Sequence, residues 1–408
     1  MTYLAFVRKE KRLLSFAVSF TFFSSFGQTF LISLFVPYML TAFNLSNASF
    51  GSLYSAATLT GAFALPWLGQ LIDRIPLRQY SLFVALGLFA SALLMALSWH
   101  ISILFAALIM LRVTGQGLSS HTAQTTMARF DDGNRGKALS ISALGFPLGE
   151  AVLPACIAFL LAAMHWQSVW MLIAAVIGVF FIPLIWFLVK PGTQVETPDE
   201  SAAADLKPPG TAESYRAIIT DSRIWFIIPA ILMPPFWVTG LFLYQVSVAE
   251  DLGWTAALIA SAFIPFAVLR ILSGLISGPL IDRFSAKSLF PSLLLPMLAG
   301  LTFPVFFSGN WTVFLYMALV GATLGYSGTL KSALWAEMYG TRVIGTVQSL
   351  FASLSVFSTA MSPFIAGWML DNGYTLDNLF MIALITTMVS VLLSLRILPV
   401  FNGRNRKV

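Results

Sequence analysis

Twelve stretches of this chain stay apolar for about 19–28 residues each, and that length leaves few folds open. They fall near 14–41, 50–70, 80–99, 101–128, 138–163, 166–189, 223–248, 255–281, 288–308, 311–336, 344–369 and 376–398. About 20 residues of helix, rising 1.5 Å each, cross the hydrocarbon of a bilayer. Lipid offers backbone groups no partners, so spans this long are helices. Barrel strands would be half the length and would alternate. Hydrophobic residues make up 58% of the chain and charged residues only 10%, with mean hydropathy +0.85. Soluble domains carry about 25% charged residues, so this chain could not cover a water-facing surface. The expected class is an all-α integral membrane protein with twelve transmembrane helices.

Charge placement orients the spans. With the N-terminus in the cytoplasm, the far-side loops near 42–49, 100, 164–165, 249–254, 309–310 and 370–375 hold no Lys or Arg. The near side holds Arg8, Lys9, Lys11, Arg12, Arg74, Arg78, Arg129, Arg135 and Lys137. It continues with Lys190, Lys207, Arg216, Arg223, Arg283, Lys287, Arg342, Arg396, Arg404, Arg406 and Lys407. This is the positive-inside pattern, with both termini cytoplasmic. The net charge of +6 is then a topology signal. Nucleic-acid binding would want a basic stripe on soluble structure. The single Cys156 permits no internal disulfide, and no metal-ligand spacing occurs. The first apolar run is too long for a signal h-region and reads as a retained helix.

Residues 190–222 differ from the rest. Pro191, Pro198, Pro208, Pro209 and Gly210 lie among Glu196, Asp199, Glu200, Asp205, Glu213 and Asp221. This predicts a polar cytoplasmic linker between a six-helix half at 1–189 and another at 223–408. Lys190-Pro191-Gly192 stops the sixth helix, and 211–220 has the pattern of a short surface helix. The halves share a phrase. Gly69-Gln70-Leu71-Ile72-Asp73-Arg74 returns, with one change, as Gly278-Pro279-Leu280-Ile281-Asp282-Arg283. Each copy ends one apolar run just before another begins, as in a transporter built from two pseudo-symmetric halves.

At these residues the chain resembles the major facilitator superfamily, whose loop signature reads G-x-x-x-D-R-x-G-R/K-R/K. Gly69, Asp73, Arg74 and Arg78 match it, while Pro76 and Leu77 depart from it. The second copy keeps Gly278, Asp282, Arg283 and Lys287. Arg112-x-x-Gly115-x-Gly117 is similar to the family's buried arginine motif in the fourth helix. Gly145-Phe146-Pro147-Leu148-Gly149 resembles its Gly/Pro-rich fifth helix, and Ser362-Pro363-x-x-x-Gly367-x-x-x-Asp371 a pattern in its eleventh. The resemblance implies alternating access, with helices 1, 4, 7 and 10, and 2, 5, 8 and 11, lining the path. It also implies that Gly69, Asp73, Arg74, Arg78, Gly278, Asp282 and Arg283 form the inner gate. On physical grounds, glycines 69 and 278 let helices approach closely, and Asp73 can accept N–H groups at a neighbouring helix N-terminus. A static tie between helices is the alternative. Arg270 is similar to the eighth-helix arginine of the monocarboxylate and oxalate/formate branches. The second helix has no arginine of the nitrate-branch kind.

Four charges lie well inside spans: Arg112, Glu150, Arg270 and Lys331. Charge at membrane depth is costly and points to function. Arg112 and Glu150 sit near mid-depth on consecutive helices and can pair. That would leave Arg270 and Lys331 facing a cavity suited to an anion, although Lys331 can also snorkel to the interface. Arg112, Glu150 and His121 are the coupling candidates, Glu150 as proton carrier and His121 as relay or as a satisfied interface residue. Gln28 and Tyr244 are the best polar contacts among candidates on the path-lining helices that also include Tyr54, Trp237 and Gln245. Pro234-Pro235 is expected to break the seventh helix.

The expectation is a secondary transporter in the cell inner or plasma membrane. It moves a small organic anion with protons or a counter-substrate, surrounded by lipid, as a monomer. It needs no cofactor, binds no nucleic acid and is not an enzyme. No G-x-x-x-x-G-K-[ST] motif occurs, which argues against ATP-driven pumping. A proton-driven multidrug exporter and a non-transporting membrane sensor are the alternatives.

Overall fold

The computed structural model describes residues 3–130, 132–190, 220–247, 249–339 and 344–398. Nearly all of the linker, with the surface helix expected there, lies outside them, as do Arg342, Arg404, Arg406 and Lys407. The described residues are helical, with no strand among them.

The first span is α1, two arms (Lys11–Gly27 and Thr29–Phe43) that meet at a 46° bend. It is followed by α2 (Asn47–Gly69). Next come α3 (Leu77–Ala96), α4 (Ile101–Ala128), α5 (Asn134–Ala163) and α6 (Trp166–Leu188). The later helices are α7 (Ile224–Tyr244), α8 (Ala256–Phe284), α9 (Ala286–Phe306) and α10 (Trp311–Tyr339). The last are α11 (Ile344–Asp371) and α12 (Leu376–Ile397). Ten helices are long and apolar enough to cross a membrane, or eleven with the bent α1. The shortfall against twelve is α2. Its 23 residues reach about 35 Å, enough to cross, but Ser, Thr and Gly dilute its apolar character.

The chain clusters into two compact units. One comprises Met1–Leu45 with Ser52–Ala203, the other Ser46–Gly51 with Ala204–Val408. In the first, α1 packs on α4 and α5, and α3 on α4 and α6. In the second, α8 and α10 pack along their lengths, α7 lies on α11 and α12, and α9 on α10 and α12. Small residues make the closest approaches possible. Gly321 and Gly325 of α10 seat against the carbonyls of Phe266 and Arg270 in α8. No side chain fits between backbones at such sites, and van der Waals contact holds the pair without help from water.

Large apolar side chains face outward. Phe63, Trp67, Phe159 and Val179 are 70%, 71%, 74% and 80% exposed. Such a surface is untenable in water and ordinary in lipid.

The expected break in α7 does not occur. The helix runs from Ile224 to Tyr244 through Pro234 and Pro235. Ser358 and Ser362 of α11 donate to the carbonyls of Leu232 and Phe236, which flank the pair. Hydroxyls from a neighbour satisfy backbone that prolines disturb, so a kink is not required. The broken helix is α1 instead. It passes through a 3-10 turn at Ser24–Gly27, and Gln28 is extended at φ −84°, ψ 150°.

Candidate functional site

The break in α1 meets a second irregularity in the first unit. From Leu111 to Ser119, α4 widens into a π-helix, where the Ser119 hydroxyl donates to the Thr114 carbonyl at 2.6 Å. The two stretches touch through Gly27 and Gly115. A Cβ on either would meet backbone of the other, so only glycine fits. Broken helices and π turns leave backbone groups free to bind, and both recur at functional sites.

Arg112 sits at this junction and is 4% exposed. Its Nη1 donates to the Gly27 carbonyl at 3.2 Å and to the Tyr54 hydroxyl at 3.1 Å. Tyr54 in turn donates to Thr29 Oγ1 at 2.9 Å. The guanidinium lies 5.1 Å from the centre of the Tyr54 ring, close enough for a cation–π contact. Arg112 Nε is buried with no hydrogen-bond partner among the described residues. Gln28, half-buried, stands at the bend itself. The geometry thus joins Arg112, Tyr54, Thr29 and Gln28 in one cluster. The pairing of Arg112 with Glu150 is replaced by bonds to Gly27 and Tyr54, because the broken turn of α1 presents a bare carbonyl.

Glu150 is 7% exposed on α5. The neighbouring Gly149 seats against the Ser25 side chain of the same α1 turn. His121 lies further along α4, with Nε2 3.3 Å from the Gly69 carbonyl and Nδ1 3.3 Å from Thr125 Oγ1. It fills the space beside Gly69, a polar residue at a helix interface.

The loop motif is tied within its own unit. Asp73 pairs with Arg129 at the end of α4, not with a helix N-terminus as expected. The carboxylate follows a tight 3-10 turn, Gln70–Asp73, that aims it at this arginine. The Arg78 guanidinium lies 3.3 Å from the centre of the Trp186 ring and donates to the Trp186 carbonyl. Arg74 is exposed.

The second copy is built differently. A Cβ at Gly278 would meet nothing within 4 Å among the described residues, so the close approach expected there is absent. Asp282 and Arg283 are exposed, and Arg283 lies 5.1 Å from the Phe284 ring centre. The helix-capping role falls to Glu337 of α10, which accepts from the Ala286 and Lys287 N–H groups. The sequence reading missed Glu337. Its only signal is an acid near the end of an apolar run, fifty positions from the groups it binds.

In the second unit, Arg270 and Lys331 both belong to the α8–α10 pair. The Arg270 carbonyl accepts from Ser273 at 3.3 Å and packs on Gly325. Lys331 lies about 9 Å further along α10 by helix rise, and both residues are half-buried. Tyr244 is fully buried. Its hydroxyl is 2.7 Å from the Asn47 carbonyl and 3.1 Å from that of Pro363. Among the described residues no cluster of side chains suits a metal ion.

A family model described as Major Facilitator Superfamily matches residues 18–264 and 235–407. Solved structures share the fold. The nucleoside transporter NupG has a TM-score of 0.70 at 16% identity, covering 97% of this chain and 99% of its own. A D-xylose-proton symporter gives 0.71 at 16%, covering 95% and 97%. A bacterial homolog of the human lysosomal transporter Spinster, inward-facing and unoccupied, gives 0.65 at 15%, covering 95% of each. No curated protein sequence matches significantly. None of these matches singles out the monocarboxylate or oxalate/formate branch. A family match over nearly the whole chain, outward-facing apolar helices and the repeated G-x-x-x-D-R loop motif make one assignment: the chain belongs to the Major Facilitator Superfamily and is a multi-pass membrane transporter, not an enzyme.

Proposed function

We propose that this protein is a secondary transporter of a small organic anion, driven by proton coupling or exchange. The observation that carries the reading is the buried Arg112 Nε, a charged donor at membrane depth with no partner among the described residues. A buried donor left unbonded costs about 1–3 kcal/mol, more when charged. An anionic group arriving at the α1 break would satisfy it. Arg270 and Lys331 add positive charge on helices that the family resemblance assigns to the path. Glu150 is the proposed proton carrier, and Asp73, Arg74, Arg78, Asp282 and Arg283 the gate. The protein works as twelve helices in two pseudo-symmetric halves, with both termini cytoplasmic, as a monomer in the cell inner or plasma membrane.

A second reading has its own support. Arg112 is already anchored twice, and Gln28, Thr29 and Tyr54 offer neutral hydrogen-bonding groups. The solved structures named above include transporters of nucleosides and D-xylose, and a neutral hydroxylated solute would suit this set.

The test is thermal stabilisation of the purified full chain across mono- and dicarboxylates, inorganic anions, sugars, nucleosides and lipophilic cations. A ligand of the folded state raises stability by RT ln(1 + [L]/Kd). The anion reading expects a carboxylate shift that Arg270→Ala and Arg112→Gln both abolish. Shifts from sugars or nucleosides alone favour the second reading. Shifts from lipophilic cations alone, unchanged in Arg270→Ala, reject both and leave a multidrug exporter.

A further inference from the structure

A cavity of about 560 Å³ opens between the start of α7 and the end of α12, wholly within the second unit. Ser222, Arg223, Phe226, Leu392, Leu395 and Arg396 line it, with Ile397. Its size falls in the roughly 300–1,000 Å³ range of small-ligand sites. The walls are of two kinds. Phe226, Leu392, Leu395 and Ile397 are apolar, while Arg223, Arg396 and Ser222 offer donors at the mouth.

The charges at the mouth are arranged unequally. Arg223 is held by Asp221, with Nε 3.0 Å from Oδ1 and Nη2 2.8 Å from Oδ2. Tyr339 donates to the same carboxylate at 2.9 Å. Among the described residues Arg396 has no such acid. Its guanidinium lies 5.2 Å from the centre of the Phe226 ring. Among the described residues Arg223 and Arg396 against Asp221 leave one net positive charge beside an apolar recess. The rim is a lipid-facing surface, since Trp225 is 64% and Leu392 57% exposed. The soluble substrate of a transporter has no route to such a rim, and a bilayer lipid does.

We propose that this cavity binds an anionic glycerophospholipid from the leaflet on the Lys/Arg-rich side of the membrane. The single phosphodiester charge meets Arg396 and the free edge of Arg223, with Ser222 donating to an oxygen. One acyl chain runs over Leu392 and along Phe226 and Leu395. Basic recesses between helix ends recognise lipid headgroups by this combination of charge and apolar contact. Asp221 limits the site to one net charge and so disfavours multiply charged headgroups. The proposal stands whichever solute is transported.

The experiment is a lipid titration of the detergent-purified full chain, followed by melting temperature and by native mass spectrometry. Phosphatidylglycerol is the probe, phosphatidylcholine the neutral control, and glycerol 3-phosphate the soluble anion without chains. Phosphatidylglycerol is expected to raise the melting temperature saturably, and the two controls are not. Arg396→Gln should weaken half-saturation about tenfold or more, the loss of one charge-assisted contact. Arg396→Lys should recover part of it, and Lys9→Gln, an exposed basic residue elsewhere on the same side, should change nothing. Asp221→Asn should tighten phosphatidylglycerol binding, an opposite sign that general destabilisation cannot produce. Equal shifts from phosphatidylcholine overturn the proposal, as does a glycerol 3-phosphate shift of the same size. An Arg396→Gln loss no larger than that of Lys9→Gln overturns it as well.

Discussion

Asp371, the last residue of α11, accepts the Asn47 N–H at 3.0 Å, the Asn47 side-chain amide at 3.1 Å and the Ala48 N–H at 2.8 Å. It therefore caps the start of α2 from a position more than three hundred residues away. Removing such a cap costs about 0.5–2 kcal/mol, so Asp371→Ala should lower the melting temperature, and Asp371→Asn should lower it less. Asp221 offers a pH test. Burial raises its carboxyl pKa, but hydrogen bonds from Arg223 and Tyr339 outweigh that and hold it below the usual carboxylate range. A depressed folded value adds stability that is fully present above the unfolded value of about 4 and is lost as pH falls through the folded one. Between pH 5.5 and pH 3 the wild type should therefore lose more melting temperature than Asp221→Asn. Parallel slopes would show that the pair adds nothing. Residues of this kind were the least legible in the sequence. Arg112 and Glu150 stand out because charge interrupts an apolar run, whereas Asp371 and Glu337 look like ordinary acids at helix ends. Their partners are fixed only by the fold.

At the scale of helices, the sequence located apolar runs well and their irregularities poorly. Pro234-Pro235 reads as a break, yet hydroxyls from α11 carry α7 through it. The real break at Gln28 has one glycine as its local signal, and that glycine is required by close contact with α4, not by a turn. Gly27→Ala and Gly115→Ala should each destabilise by about 1–3 kcal/mol, because backbone cannot move aside for a methyl group. A methyl at Gly136, on α5, would meet nothing within 4 Å among the described residues, so Gly136→Ala should be neutral or slightly stabilising. Melting temperatures of the three variants check this directly. The loop motif invites a paired comparison. A Cβ at Gly69 would lie 3.3 Å from His121 Nε2, while Gly278 has open space among the described residues. Gly69→Ala should therefore cost more stability than Gly278→Ala, although the two phrases are nearly identical.

For the whole molecule, the bilayer is the solvent that made the fold class readable. Apolar runs of membrane length and a one-sided basic pattern follow from lipid alone, before any packing is known. Substrate choice does not follow, because it depends on a few donors brought together by bends. Flux in proteoliposomes addresses coupling. With Glu150 as proton carrier, Glu150→Gln should abolish uptake driven by a pH gradient and retain counterflow. Gradient-driven uptake that survives the substitution assigns the proton elsewhere. The widened turn of α4 has a further consequence. A π turn holds one more residue than the α-helix around it, so a single deletion between Val113 and Leu118 would restore the ordinary repeat. The wide turn absorbs its extra residue within one rotation, so everything after it would keep its phase on the helical wheel. His121 would stay beside Gly69 and Arg129 beside Asp73, whereas the same deletion just after the wide turn would rotate both away by about 100°. The widened turn thus lets α4 carry one more residue beside the broken α1 without disturbing the contacts at the membrane edge.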